Sequence, residues 1–122
     1  MKKGIVLFAH GSRDPEWARP FEEIASRVRG SLPEAEVVVA FLESSKPALA
    51  EAVAALAGKD CTDIQIVPLF LGQGGHVKND LPKLAAGAQA AHPRLKIVLQ
   101  KPIGEQPAVI DAIAGAILEE SA

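Results

Sequence analysis

The sequence predicts an α/β fold: a small doubly wound, flavodoxin-like domain with a four-stranded parallel sheet of order 2-1-3-4 and helices on both faces. Short apolar runs rich in β-branched residues alternate four times with longer segments of helical periodicity. The first run is apolar throughout, as expected for a strand covered on both faces. No linker or low-complexity tract interrupts the chain, so we expect a single domain over residues 1–122.

The first βα unit begins with an apolar strand over residues 4–9, which ends at His10. Asp14 and Pro15 suit the N-cap and the first turn of the helix that follows. An apolar stripe with spacings of three and four residues marks this helix: Trp17, Phe21, Ile24, Val28 and Leu32. Pro20 would cost an interior hydrogen bond, so the helix either begins near it or bends there.

The second unit begins with a strand over residues 36–42, which runs into Glu43. Ser44 or Ser45 then suits the N-cap of a helix that has Pro47 in its first turn. The inward face of this helix carries Leu49, Val53 and Leu56.

The third strand covers residues 64–71 and contains Pro68, which predicts an irregularity because proline cannot donate to a ladder. A glycine-rich loop leads to a helix over residues 81–91, which Asn79 and Asp80 are expected to cap.

Residues 95–100 form the fourth strand, and a last helix follows. One apolar face of that helix carries Val109, Ile110, Ile113 and Ile117. Right-handed crossovers between parallel strands then favour the strand order 2-1-3-4.

Three residues that suit metal chemistry follow three different strands: His10, Glu43 and His76. They are evenly spaced, one βα unit apart, so the topology brings them to the carboxyl edge of the sheet, where open α/β folds bind ligands. Two imidazoles and a carboxylate suit Zn, Fe, Co or Ni and leave a coordination position open. The sequence therefore predicts a metal site at this edge.

The loops at the same edge suit an anion. Ser12 and Arg13 follow the first histidine, while Gly74, Gly75 and Lys78 surround the second. Glycines allow backbone amides to approach an anion closely, and the two cationic side chains add positive charge. We expect the site to hold an anion beside the metal.

Each of these features also has a purely structural interpretation. A single histidine at a strand end is more often a hydrogen-bonded structural residue than a ligand. Glu43 could simply favour the positive end of the next helix. Ser12 beside His10 could suggest a nucleophile and a base, although no G-x-S-x-G elbow surrounds it. Three such residues at equivalent topological positions favour a site over coincidence.

Composition excludes several classes of function. The formal net charge is -2, aromatic residues make up 4% and tyrosine is absent, so nucleic acid is a poor candidate ligand. The glycine-rich loop is not G-x-G-x-x-G, and we expect no organic cofactor. Cys61 is the only cysteine, which suits a reducing cytoplasm. No apolar run approaches the ~20 residues of a membrane span, so we expect a cytoplasmic protein without membrane contact.

Three segments in order resemble the CbiX family of sirohydrochlorin cobaltochelatases. They are VLFAHGSRDP at residues 6–15, AFLE at 40–43 with KP at 46–47, and VPLFL at 67–71 followed by GGHV at 74–77. The resemblance covers nearly the whole chain. It implies the chelatase-like form of the doubly wound fold and insertion of a divalent metal, foremost Co²⁺, into sirohydrochlorin during cobalamin biosynthesis. Relatives that insert Fe²⁺ for siroheme, or Ni²⁺, keep those metals as alternatives.

The resemblance also implies roles for individual residues. Family members hold the metal with two histidines and an acidic residue, which correspond to His10, His76 and Glu43. Because a neutral imidazole can also accept a proton, we expect one of these histidines, with His10 the first candidate, to accept the pyrrole protons, while Glu43 orients a histidine or binds the ion directly. The cationic side chains and glycine amides of the loops would clamp the substrate carboxylates. The chain resembles the short, one-lobed members, which implies a homodimer that binds the tetrapyrrole between two copies.

Two rival functions remain open. A histidine-dependent phosphoryl-transfer or hydrolytic enzyme would use His10, Ser12 and Arg13 on a phosphate and would need no transition metal. A non-catalytic metal carrier or tetrapyrrole-binding protein would bind Co²⁺ or Ni²⁺ without changing the absorption spectrum of sirohydrochlorin.

Overall fold

The computed structural model describes residues 1–121 and contains one parallel sheet. Its strands are β1 (Lys3–Ala9), β2 (Glu36–Phe41), β3 (Asp63–Pro68) and β4 (Lys96–Leu99). The order is β2-β1-β3-β4, with every pair parallel, which confirms the predicted topology. The helices are α1 (Arg19–Ser31), α2 (Leu49–Gly58), α3 (Gly75–Ala91) and α4 (Pro107–Glu120). No helix among residues 1–121 combines the length and apolarity needed to cross a membrane.

The central strand β1 carries the core on both faces. Val6 pairs with Val38 of β2 and Ile66 of β3, and this face packs against α2 and α3. Neighbouring residues point to the other face, where Ile5 and Leu7 belong to a second cluster completed by α1. Because side chains alternate along a strand, an uninterrupted apolar run is what two covered faces require.

The first turns after β1 show how the chain accommodates Pro20. The Asp14 side chain accepts a hydrogen bond of 3.0 Å from the Glu16 amide and caps a short 3₁₀ helix over Pro15–Ala18. The α-helix proper begins at Arg19, with Pro20 in its first turn, where a missing amide proton costs nothing. Of the two alternatives that the sequence left open, a helix that begins near Pro20 is the one observed.

Two predicted helix starts are wrong. Helix α2 begins at Leu49, and its N-cap is Ala48, whose amide donates to Glu51 Oε1 at 3.0 Å; neither Ser44 nor Ser45 caps it. Helix α3 begins at Gly75 and includes the segment that was expected to be a loop and a cap. It also contains Pro82 in its interior. Ser45 is engaged elsewhere, because its hydroxyl donates to the Ser12 carbonyl at 2.8 Å.

Strand β3 ends at Pro68, three residues before the predicted end at residue 71. The irregularity predicted at this proline is therefore the end of the strand. Pro68 pairs with Phe8 of β1, and the next amide, that of Leu69, donates to the Phe8 carbonyl at 2.7 Å. The chain then leaves the sheet toward the glycine-rich loop.

Helix α4 departs from the predicted pattern of helices packed on the sheet. Every residue from 110 to 120 is exposed, and none of the helix is buried. Ile110 is 52% exposed and Ile117 is 60% exposed, although their spacing predicted an inward face. Among residues 1–121, the main contacts of α4 are with the 3₁₀ turn over Ile103–Glu105 that precedes it.

Cys61 is a packing residue. It is 1% exposed and belongs to the cluster beneath α2 and α3. Burial raises the pKa of its thiol, which keeps it in the unreactive protonated form.

Gly11 fixes the loop after β1 against the end of β2. It has a φ of 102°, and a Cβ at this position would overlap the carbonyl oxygen of Glu43. The amide of Glu43 in turn donates to the carbonyl of His10 at 3.0 Å. Only glycine permits both the backbone conformation and this close approach.

We expect Gly11→Ala to destabilise the protein by about 2 kcal/mol or more, because it adds left-handed strain to a backbone clash. Urea unfolding followed by circular dichroism measures this free energy. Gly30→Ala is the matched control, since a Cβ there meets nothing within 4 Å and alanine favours the helix. Equal stabilities of the Gly11→Ala variant and the wild type would contradict the close fit.

Candidate functional site

The carboxyl edge of the sheet brings His10 and Glu43 together. His10 follows β1 and Glu43 lies just beyond β2, and the Leu42 amide extends the ladder by donating to the Ala9 carbonyl at 2.9 Å. As a result the side chains meet, with His10 Nε2 2.7 Å from Glu43 Oε1. The two ligands predicted from separate strands therefore share one position at the sheet edge.

This pair can serve either a proton or a metal. When Nε2 of His10 donates to the carboxylate, Nδ1 carries the lone pair and can accept a proton. The same carboxylate fixes the tautomer and orientation of the ring, as it does for imidazoles that bind metals. Ligand atoms on one small ion stand about 3 Å apart, so Nε2 and Oε1 would also share an ion after a small separation.

The pair is open to solvent on one side and supported on the other. The side chain of His10 is 48% exposed and that of Glu43 is 60% exposed. Behind the histidine, the ring of the buried Phe70 makes an edge contact, with centroids 6.5 Å apart and planes at 85°. Phe70 thus restricts the imidazole from the core side while the solvent side stays accessible to a ligand.

His76 stands on a different element, in the first turn of α3. Its Nε2 lies 2.9 Å from Asp80 Oδ2, one helical turn further on, and its side chain is 85% exposed. In residues 1–121 no group of three or more His, Cys, Asp or Glu side chains converges to hold a metal. The chain therefore presents two histidine–carboxylate pairs, and His76 does not join His10 and Glu43 in one ligand cluster.

Ser12 has a structural role in the loop after β1. Its Oγ accepts the Asp14 amide at 3.1 Å, and its carbonyl accepts the Ser45 hydroxyl at 2.8 Å. His10 Nε2 is occupied by Glu43. This arrangement disfavours the rival interpretation in which His10 activates Ser12 as a nucleophile, because that chemistry requires a direct hydrogen bond between them.

The loops at this edge carry exposed positive charge. Arg13 and Lys78 are both exposed, and neither forms a salt bridge with another residue in the range 1–121. Gly74 is the N-cap of α3 and Gly75 its first residue, so unpaired amides and the positive end of the helix lie beside His76. The two glycines have open space where a Cβ would be, which leaves their amides accessible to an anion.

Sequence reasoning missed three residues that shape the site. Asp80 was predicted to cap α3. A predicted helix start at Gly75 would have placed His76 and Asp80 one turn apart on the same face, where such side chains pair. Ser45 was assigned to a cap and instead ties the two loops together. The contact between Phe70 and His10 carries no signal in the sequence, because it depends on how β1 and β3 end side by side.

The sequence matches known proteins along most of its length. The family model for CbiX matches residues 4–120. A sirohydrochlorin cobaltochelatase of Methanosarcina acetivorans is 37% identical over 81 residues, which is 66% of this chain and 62% of that relative. The match thus spans slightly less than two thirds of that relative's length.

Solved structures show the same fold. A structure from Marinobacter aquaeolei, named as a cobalamin (vitamin B12) biosynthesis CbiX protein, superimposes with a TM-score of 0.85 at 33% identity. The match covers 97% of this chain and 96% of that one. The sirohydrochlorin chelatase SirB of Bacillus subtilis subspecies spizizenii, solved in complex with cobalt, gives a TM-score of 0.76 at 29% identity. There the match covers 98% of this chain and only 51% of the other. With a family model matched from residue 4 to residue 120, this chain belongs to the CbiX family.

Proposed function

We propose that this protein inserts a divalent metal, foremost Co²⁺, into sirohydrochlorin. The observation that carries the proposal is the His10–Glu43 pair at the carboxyl edge of the sheet, in a chain that the CbiX model matches over residues 4–120. Relatives named sirohydrochlorin cobaltochelatase, and a chelatase crystallised with cobalt, support the substrate and the metal.

The reaction needs groups that hold an ion loosely and groups that accept protons. Insertion of M²⁺ removes two pyrrole protons and releases the ion from its former ligands. A neutral imidazole performs either task near neutral pH. In our proposal His10 and Glu43 form one half of the machinery, and His76 with Asp80 forms the other.

The geometry of the two histidine–carboxylate pairs suits transient binding of the metal. Each histidine faces one carboxylate on an exposed surface, rather than lying in a closed ligand cage. A site with few protein ligands leaves coordination positions open for the incoming pyrrole nitrogens. Such a site can transfer its ion to the tetrapyrrole. A metal carrier with a full set of protein ligands would release the ion less readily.

In this proposal, the exposed cations and backbone amides of the two loops bind the substrate. Sirohydrochlorin carries many carboxylates, and Arg13 can bind one of them with two parallel hydrogen bonds. Lys78 and the amides around Gly74 and Gly75 add a second anion-binding point at the start of α3. The formal net charge of -2 does not oppose docking, because the local charge of the loops governs it.

A homodimer would complete this arrangement. The SirB chain is about twice as long as the part that this chain matches, since 98% of the present chain covers 51% of it. Two copies of one domain would then supply what a longer chelatase has within itself. We propose that the tetrapyrrole lies between the two carboxyl edges, and that the enzyme works in the cytoplasm on cobalamin biosynthesis. Siroheme synthesis with Fe²⁺ is the second candidate pathway.

The central test mixes sirohydrochlorin anaerobically with Co²⁺, Fe²⁺ or Ni²⁺ and follows insertion by visible absorption. We expect the protein to accelerate insertion, with Co²⁺ fastest. His10→Ala and His76→Ala should each lower kcat/KM by about 100-fold or more, the usual contribution of a positioned acid or base. His92→Ala is the control, since His92 caps the far end of α3 and precedes β4. Rates that are identical with and without protein for every metal would refute the proposal.

Glu43→Gln tests whether Glu43 binds the metal through its negative charge or only orients the His10 ring. Glutamine keeps the shape and one hydrogen bond to His10 but removes the negative charge that a metal ligand supplies. We expect Co²⁺ affinity to fall about 10- to 100-fold by isothermal titration, with the fold unchanged by circular dichroism. Unchanged affinity would mean that Glu43 only orients the ring.

Arg13→Gln and Lys78→Gln test the proposed clamp. Each should raise KM for sirohydrochlorin about tenfold with little change in kcat, because the lost contact is the same in the ground state and the transition state. The defect should shrink in high salt, which already screens the wild-type attraction. Arg94→Gln, at the opposite edge of the sheet, removes the same charge and should leave KM unchanged.

A further inference from the structure

Helix α3 carries a stripe of chemically distinct residues on the side that faces α2. His76, Asp80, Lys83 and Gly87 follow one another at intervals of four, three and four residues, so they lie in one row along the helix. The side that packs on the sheet carries a separate row of buried and half-buried residues: Val77, Leu81, Ala85 and Ala88. Lys83 and Gly87 line a cavity together with the first turn of α2, which fixes the direction of the stripe.

This α2–α3 cavity has a volume of about 250 Å³. Its buried base includes Phe8, which is 0% exposed, and Ala88. Leu84, which is 40% exposed, and the half-buried Leu42 form parts of its more open walls. A Cβ added to Gly87 would meet nothing within 4 Å, so the stripe on α3 borders open space rather than packed side chains.

The α2–α3 cavity lies at the carboxyl edge of the sheet, between the two histidine–carboxylate pairs. Leu42 lines it and directly precedes Glu43. A parallel bridge between Phe41 and Ala48 keeps the start of α2 level with the end of β2. From His76 to Lys83 the helix α3 advances by about 10 Å, so the His76–Asp80 pair lies further out along the helix than the cavity. A ligand that reaches both pairs therefore passes over the cavity mouth.

The chemistry of the α2–α3 cavity suits an aliphatic chain that ends in an anion. Among the described residues that line it, only Lys83 is charged, and the others are apolar or glycine. Lys83 is exposed and forms no salt bridge with any partner in residues 1–121. A lysine stem can lie along apolar surface while its ammonium group stays at the rim, where it attracts a carboxylate.

The size of the α2–α3 cavity selects a small group over a protein segment. One water molecule occupies roughly 30 Å³ in the liquid, so the cavity has room for a short chain of heavy atoms. A helix with its side chains is about 10 Å wide and would not enter. The carboxylate-bearing arms of a tetrapyrrole are short chains of this kind.

We propose that the α2–α3 cavity is a subsite for one carboxylate-bearing arm of the tetrapyrrole. The methylene groups of the arm contact Leu42 and Leu84, and its carboxylate accepts hydrogen bonds from Lys83 Nζ. This inference rests on the proposed function, because it names how that site recognises its substrate. An arm held in a cavity fixes the rotation of the ring above His10 and His76, which exposed cations at the loops do not achieve by charge alone.

Gly87→Leu fills the α2–α3 cavity and tests whether the substrate uses it. We expect the KM for sirohydrochlorin, and the Kd of the metal-free compound by isothermal titration, to rise about tenfold with little change in kcat. Gly30→Leu is the matched control, since it adds the same side chain to an exposed helical glycine with open space around its Cβ. Thermal unfolding should show no loss of stability in either variant, because leucine favours the helix. An unchanged KM and Kd in Gly87→Leu would overturn the subsite.

Substitutions of Lys83 test the contact with the carboxylate. Lys83→Gln should raise KM and Kd about tenfold, whereas Lys83→Arg keeps the charge and should stay close to the wild type. Lys96→Gln removes the same charge at the opposite edge of the sheet and should change neither constant.

A double variant ties Lys83 to the α2–α3 cavity. In the Gly87→Leu background, Lys83→Gln should weaken binding by less than about twofold, because the arm no longer reaches the lysine. A full tenfold effect in that background would mean that Lys83 attracts the substrate from outside the cavity, and it would overturn the subsite.

Binding and turnover together separate this inference from the proposed function. If the wild type inserts Co²⁺ while Gly87→Leu leaves KM and Kd unchanged, the subsite fails and the chelatase proposal stands. If Gly87→Leu weakens binding of metal-free sirohydrochlorin but the wild type does not accelerate insertion, the subsite stands and the chelatase proposal fails. A wild type that does not bind sirohydrochlorin would overturn the subsite as well.

Discussion

The parallel pairing of β1 with both of its neighbours is the constraint on which the site depends. Its register places Ala9 beside Phe41, and the pairing continues beyond the strands, where the Leu42 amide donates to the Ala9 carbonyl and the Glu43 amide to the His10 carbonyl. The close fit of Gly11 against the Glu43 backbone then leaves the loop little freedom. A hydrogen bond of 2.7 Å between two exposed side chains follows from buried backbone pairing rather than from attraction between the side chains themselves.

The site combines a rigid base with open functional groups. Phe70 and the strand ends hold one side of His10, while the solvent side of both histidines is accessible. In the proposed function, this arrangement would orient the metal ligands and keep them few enough to release the ion. The exposed Arg13 and Lys78 would add substrate affinity through local charge, which the overall composition of the chain does not reveal.

Helix α4 shows how a complete local pattern can leave a fold incomplete. Its isoleucines line one side, as in a helix that covers a sheet, yet the helix continues away from the sheet after the buried turn at Gly104.

The sequence alone determined the fold class, the strand order and the edge at which His10, Glu43 and His76 lie, because apolar periodicity and crossover handedness are properties of single βα units. The start of α3 at Gly75, and with it the His76–Asp80 pair, is visible only in the tertiary structure, because the local capping preference of Asp80 points to a later start. The direction of α4 was likewise decided by the fit of Gly104 against Leu71, a contact between segments that no local pattern encodes. Patterns along the chain fix which face of an element is apolar, but only three-dimensional contacts fix what that face meets.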